Sequence, residues 1–397
     1  MVTSRAKSGT RATLGSALGI VSNHSSFDVA VVGGGVVGLS VAWRAAQAGL
    51  SVVVLERDAA GSGTSRVAAG MLAPVTEVTL VERRALELGL AAAERYPEFV
   101  AELREVSGVD PGYYGWGTLL LARDADEADA LERELELRRD LGLRVQRLRG
   151  SQARRLEPAL APGLRLALEV EGDHAIDPRR LTEALVRAAR HAGTEIRERA
   201  EVAAIEPGAV RLVSEQFIAA DQVVVAAGPW ANQIAGIPEA ARVPLRPVKG
   251  QILRLHDPSG PGLISRVLRM TGGYLVPRGD GRYVLGATME ERGFDTSVTV
   301  GAVFELLREA IELVPGADEF VIDELAAGLR PGTPDNAPAI GPGRRPGLHW
   351  AVGHYRNGIL LAPITAELVV QGLRGEDLGE LAGPVSPARF TREPASV

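Results

Sequence analysis

Cysteine is absent from the 397 residues. That excludes disulfides, thiolate nucleophiles, Cys-ligated metals and any cofactor tethered through a Cys thioether. Aromatic residues make up only 4% of the chain, and no apolar run approaches the roughly 20 residues that span a bilayer as a helix. The six histidines have no metal-ligand spacing; His349 and His354 match no common zinc pattern, and no metal is expected. Excess positive charge is lacking too. A formal net charge of −6 gives no electrostatic reason to expect nucleic acid or an anionic membrane as partner. What remains, 46% hydrophobic and 24% charged residues, is ordinary for a soluble globular enzyme with core enough for about two or three domains, and a cytoplasmic location is expected.

Residues 1–26 stand apart. They carry Arg5, Lys7 and Arg11, no acidic residue, and a short apolar stretch over 14–21. With no obvious small-x-small cleavage site after the apolar stretch, this reads as a disordered or accessory extension rather than a signal peptide. Ser4 and Lys7 match an S-x-x-K pattern whose companion motifs are missing, so nothing is assigned to them.

From Phe27 to Val32 the sequence is nearly continuous apolar, as in a strand buried on both faces. A Gly-rich turn, an amphipathic segment over 39–48 closed by Gly49, and a β-branched run over 51–55 complete a βαβ unit. A helix is expected over 80–103 with a break near Pro97, and a strand over 113–122. A solvated surface helix is expected over 124–143. Asp177-Pro178 reads as an N-cap followed by proline in the first turn, so a helix should run to His191. Strand-like patterning returns over 194–205, 222–227 and 244–288; a helix over 303–313 and a loop–strand–helix stretch over 325–373 close the chain.

The fold class expected is mixed α/β: a doubly wound, Rossmann-like dinucleotide domain, discontinuous in sequence, with a second antiparallel-sheet domain. The nucleotide domain would comprise 27–80, 172–235 and 321–397. The substrate domain, with helical insertions, would comprise 81–171 and 236–320.

Gly33-Gly34-Gly35-Val36-Val37-Gly38 fits G-x-G-x-x-G, and its place between a buried strand and a helix gives each glycine a task. Gly33 permits the tight turn, Gly35 lets N–H groups approach a pyrophosphate, and Gly38 allows close helix–strand packing. The helix N-terminus adds partial positive charge. Glu56 stands at the end of the second strand, where a carboxylate accepts from a ribose 2′-OH. This unit does not choose FAD over NAD. The loop Gly61-Ser62-Gly63-Thr64-Ser65 inclines the choice to FAD, since a second small-residue loop can satisfy further phosphate oxygens; a plain surface loop has the same composition.

Further stretches follow in order: 64–72 (TSRVAAGML), 223–230 (VVVAAGPW), 246–251 (RPVKGQ), 274–278 (YLVPR), 286–289 (GATM), 327–333 (AGLRPGT) and 353–363 (GHYRNGILLAP). With 31–38 and Leu55-Glu56-Arg57, this set resembles the D-amino-acid oxidase family of flavoenzymes, and within it the glycine oxidases of thiamine biosynthesis. The resemblance covers nearly the whole chain after residue 26. It implies non-covalent FAD contacts at Val36, Val37, Glu56, Arg57, Thr64, Ser65, Ala69, Gly70, Met71, Val202 and Gly228. It places His354, Tyr355, Arg356, Asn357, Gly358, Ile359 and Leu360 beside the flavin ring. It further implies that Arg330 binds the substrate carboxylate, helped by Tyr274, with Arg356 and Met289 bordering the pocket.

The residues themselves are compatible with these roles. A planar guanidinium grips a carboxylate through two parallel bonds, which Lys cannot do. Arg330 lies in a small-residue turn, although a lone Arg is by default a surface ion pair. Tyr274 suits either the core or a carboxylate; Met289 suits core filling or a wall that favours glycine. Arg356 fits substrate contact and flavin-side structure equally.

The resemblance implies oxidative deamination of glycine, or of sarcosine or D-alanine, with O2 as acceptor. Imino acid, glyoxylate, ammonia and H2O2 would be formed, the imine feeding the thiazole of thiamine. A homo-oligomer is expected. The alternatives are a sarcosine or D-amino-acid oxidase, a quinone-linked dehydrogenase of the same family, and a dinucleotide-binding module without catalysis.

Overall fold

The structure, a computed structural model, describes residues 26–77 and 86–390. The expected N-terminal extension therefore lies almost wholly outside the described residues, as does the start of the helix expected at 80. The apolar run Phe27–Val32 is the central strand of the first sheet, parallel to Val52–Leu55 on one side and Phe217–Val225 on the other. Glu195–Arg197 extends this sheet beyond Val52–Leu55, and Leu348–Val352 pairs in parallel with Phe217–Val225. An antiparallel ladder of Val202–Glu206 and Ala209–Leu212 joins the outer length of Phe217–Val225.

One face of this sheet is covered by helices Val36–Gln47, Leu86–Ser107, Pro178–His191 and Gly358–Leu373. Trp43, Tyr96 and Phe99 interlock between them, Trp43 against Phe99 at 5.6 Å and Tyr96 edge-on to Phe99 at 5.8 Å. The opposite face buries Ile234, Ile237, Val243 and Trp350. Pro178–His191 has the bounds its sequence predicts, and Asp177 caps it by accepting from the N–H groups of Arg179 and Arg180.

The second sheet runs in the order Val321–Gly332, Arg246–His256, Arg282–Gly286, Gly273–Pro277, Val267–Met270, Thr118–Ala122, Leu166–Val170, Gln146–Arg149. All its pairings are antiparallel except Val267–Met270 with Thr118–Ala122. Met71–Leu72, His174–Ile176 and Tyr113–Tyr114 form a small third sheet.

Several features differ from expectation. Val321–Gly332 belongs to the second sheet, not with the nucleotide strands, because it pairs along its length with Arg246–His256. The third segment of the first sheet begins at Ala339. Leu86–Ser107 packs in the first core, since Leu88, Ala92, Tyr96, Phe99 and Leu103 recur at helical spacing on its buried face. It runs unbroken through Pro97, held by tertiary packing. The strand expected over 113–122 is interrupted at Gly117, whose φ of 82° departs from extended backbone. Among the described residues, no helix is long and apolar enough to cross a membrane.

Candidate active site

The strand–turn–helix unit is packed backbone to backbone. A Cβ at Gly33, where φ is 107°, would lie 2.6 Å from the Ala226 carbonyl oxygen; one at Gly38 would lie 2.0 Å from the Gly33 carbonyl oxygen. Only hydrogen fits at either place. Helix Val36–Gln47 therefore starts directly against the strand, with Gly35 at its N-cap, no capping side chain and no acidic residue in its first turn. Ser65 accepts from the Val36 N–H at 3.0 Å, which ties the second small-residue loop to the first. Thr64 donates to the Leu329 carbonyl at 2.8 Å, linking that loop to the second sheet. The Glu56 carboxylate accepts from the N–H groups of Gly34 (2.6 Å) and Asp58 (2.9 Å). Beside it the Arg57 guanidinium lies over the Trp230 ring, 4.6 Å from its centroid.

A cavity of about 540 Å³ connects this turn to the second sheet. Arg330, near the end of the edge strand Val321–Gly332, reaches it across Gly250 of the neighbouring strand. A Cβ at Gly250 would lie 2.4 Å from Arg330 Nη1, so that glycine makes room for the guanidinium. Arg330 Nη1 donates to the carbonyls of Thr288 (3.0 Å) and Lys249 (3.3 Å). Among the described residues it has no carboxylate within ion-pair distance. Tyr274 is positioned likewise by Gly286, where a Cβ would lie 2.9 Å from the phenol oxygen. Burial raises the Tyr274 pKa, with Arg330 acting the other way, so the phenol stays protonated.

A buried carboxylate shares this end of the cavity. Glu77 is 9% exposed, paired with Arg269, and 3.1 Å from Arg356 Nη1. Burial alone would raise its pKa, but the guanidiniums of Arg269, Arg356, Arg330 and Arg138 hold it below the ordinary carboxylate value. His354 is neutral: burial pushes its pKa down to about 3, and Nε2 shares a 2.9 Å hydrogen bond with the Thr365 hydroxyl. Tyr355 adopts a φ of 48°, rare for a bulky residue. Its N–H donates to the Pro331 carbonyl at 2.9 Å and its hydroxyl to Met289 Sδ at 2.8 Å. Met289 lines the cavity but is 64% exposed, which puts it at the mouth and not in a tight inner wall.

A family model described as FAD dependent oxidoreductase (DAO) matches residues 28–371. The chain belongs to this family of FAD-dependent oxidoreductases. It is 36% identical to a glycine oxidase from Geobacillus kaustophilus, over 92% of this chain and 97% of that protein. It is also 36% identical to the bifunctional protein ThiO/ThiG of Synechocystis sp., over 92% of this chain, and spans 54% of that longer protein. The crystal structure of the Geobacillus kaustophilus glycine oxidase superposes with a TM-score of 0.85 at 34% identity, covering 91% of this chain and 98% of that one.

As an FAD-dependent oxidoreductase the chain has a cavity whose residues fit that cofactor. Bare glycine backbone at a helix N-terminus whose N-cap residue is Gly35 suits a diphosphate, and the Glu56 carboxylate suits a ribose hydroxyl. Of the residues expected at the cofactor, Gly33, Gly35, Val36, Val37, Glu56, Arg57, Thr64, Ser65, Ala69, Gly70, Met71, Val202, Gly228 and His354 to Ile359 all line the cavity. Gly38 and Leu360 do not. Gly38 acts through close packing, and Leu360, 2% exposed, belongs to the helical core. Arg330, Tyr274, Arg356 and Met289 also line the cavity.

Glu77, Arg269, Trp230, Gly250 and Gly286 escaped the sequence reading as functional positions. Trp230, Gly250 and Gly286 lie inside stretches that carry the resemblance, so a signal existed. For Glu77 and Arg269 there was none.

Proposed function

We propose that this flavoenzyme oxidises glycine, or an amino acid of similar size with a primary or secondary amine, using O2 as electron acceptor. The observation that carries the reading is Arg330: a guanidinium facing the cavity whose partners among the described residues include no carboxylate. Two parallel charge-assisted bonds from it would hold a substrate carboxylate, with the protonated Tyr274 phenol as a further donor. Fixing the carboxylate orients the Cα–H bond and lowers the entropic cost of reaching a reactive geometry. When bound, FAD would supply the two-electron acceptor for the Cα–H bonding pair, the nitrogen losing a proton as the imine forms. His354, buried and neutral, would bring no competing charge to that end of the cavity. The imine so formed would feed thiazole assembly, a role that rests on the resemblance to the thiamine-pathway oxidases.

Glycine added without oxygen should bleach the visible flavin band of the purified protein. Peroxide should then appear on admitting air, with glycine, sarcosine and D-alanine compared at equal concentration. Bleaching by none of the three sinks the reading. Turnover seen only with an artificial dye would replace O2 with another acceptor.

A further inference from the structure

The anchoring of Glu77 is unusual in how much buried charge it consumes. The N–H groups of Val75 and Thr76, the two residues before it, donate to the Asp173 carboxylate at 3.2 and 2.6 Å. Their carbonyls accept from Arg138 at 3.0 and 3.1 Å, and the Thr76 carbonyl also accepts from Arg269 at 3.2 Å. Asp173 is 0% exposed and Arg138 1%. Burying ions costs several kcal/mol each unless they are well paired. Here they fix both peptide groups of a two-residue segment, and with them the place of Glu77.

The carboxylate that this frame presents still has acceptor capacity. Arg269 engages Oε1 and Arg356 engages Oε2, leaving a lone pair on each oxygen. Both guanidiniums also keep Glu77 anionic. Glu77 interacts electrostatically with Arg330 and Tyr274 across one cavity, whereas the cavity's other carboxylates stand elsewhere: Glu56 and Asp58 at the nucleotide turn, and Glu201 next to Val202 of the first sheet. A guanidinium clamp alone reads only a carboxylate. It would accept a 2-hydroxy acid as readily as an amino acid of the same size.

We infer that Glu77 is the specificity-determining residue that makes the site select amines over hydroxyls, receiving the substrate ammonium while Arg330 holds the carboxylate. The inference rests on the proposed amino-acid oxidation and assigns its amine-recognition site.

The test uses the FAD-loaded enzyme and two ligands alike in size. Affinity for glycine comes from the concentration dependence of anaerobic flavin reduction; affinity for glycolate comes from perturbation of the flavin absorption band. In Glu77→Gln, glycine should weaken about 10- to 100-fold, the worth of a hydrogen bond to a charged group. Glycolate should bind unchanged or more tightly. Glu77→Asp, which keeps the charge on a shorter arm, should recover part of the glycine affinity. It also serves as the test variant if the Gln form does not hold FAD, a smaller but selective loss of glycine then being expected. Parallel losses for both ligands, or no loss for glycine, overturn the inference. Failure of the underlying reading looks different: wild-type flavin would remain oxidised with every amino acid.

Discussion

The nucleotide end of the cavity is built largely on main chain and small residues from one stretch, 33–71, with Val202 and the 226–230 segment beside it. The end proposed to hold the substrate acid is made of long polar and charged side chains drawn from distant strands and loops. At the first end Gly33, Gly35 and Gly38 work by having no side chain, and a helix terminus supplies the field. At the second, Glu77, Arg269, Tyr274, Arg330 and Arg356 meet only because Val321–Gly332 lies against Arg246–His256 and the helical layer closes behind. Glycine serves both ends, but differently. Gly38 keeps two backbones in contact, while Gly250 clears a slot for one guanidinium. The first end should therefore fail structurally, and the second chemically.

Substitution of Gly38 by Ala should have the largest effect. Its Cβ would meet a carbonyl oxygen at 2.0 Å, so backbone must move. A destabilisation of about 3 kcal/mol is expected, with loss of bound flavin. Flavin content and Tm measure it; an unchanged Tm with full flavin would break the contrast between the ends.

Arg330→Ala should leave flavin content intact and lower kcat/KM for glycine about a hundredfold or more, the range for removing one partner of a buried charge pair. Arg330→Lys should recover only part of this, because an ammonium cannot make the two parallel bonds. Full recovery by Lys would show that charge alone suffices.

Gly250→Ala sharpens the contrast further. The added methyl faces the movable tip of Arg330, so folding should be little affected while the guanidinium is pushed aside. KM for glycine should rise about tenfold, with Tm and flavin content held. A fall in Tm matching that of Gly38→Ala would place Gly250 with the first kind of glycine.

The smallest effect concerns Asp173. Burial raises its pKa from 3.8 to about 6, against the lowering pull of its bonds to Thr76 and Val75. Between these values the folded state binds the proton and the unfolded state has released it, so stability should fall as pH rises from about 4 through about 6. Tm of the wild type minus Tm of Asp173→Asn should shrink over that interval. A difference independent of pH would show that burial does not govern this carboxyl.

How much was legible follows the same division. Gly33 to Gly38, Glu56 and the helix Pro178–His191 are short-range features whose physics is local, and the sequence pattern located each of them. The edge strand Val321–Gly332 was grouped with the wrong sheet because alternation reveals a strand but not its partner, which is nonlocal. Arg330 and Tyr274 were found through the resemblance, since an isolated Arg or Tyr carries no such signal. Glu77 was missed for a related reason. Its chemistry comes from Arg269 and Arg356, far away in the chain, and from Asp173 and Arg138 behind it.

Helix Ala125–Asp140 carries a consequence for engineering. Its composition is that of a solvated exterior helix, an obvious place to randomise for solubility or to delete when trimming the enzyme. Yet its buried face carries Leu131, Leu135 and Arg138, and the last of these passes inward to the two carbonyls just ahead of Glu77. A library that treats this helix as free outer sequence would disturb the seat of Glu77 from the outside, with no altered residue in the pocket.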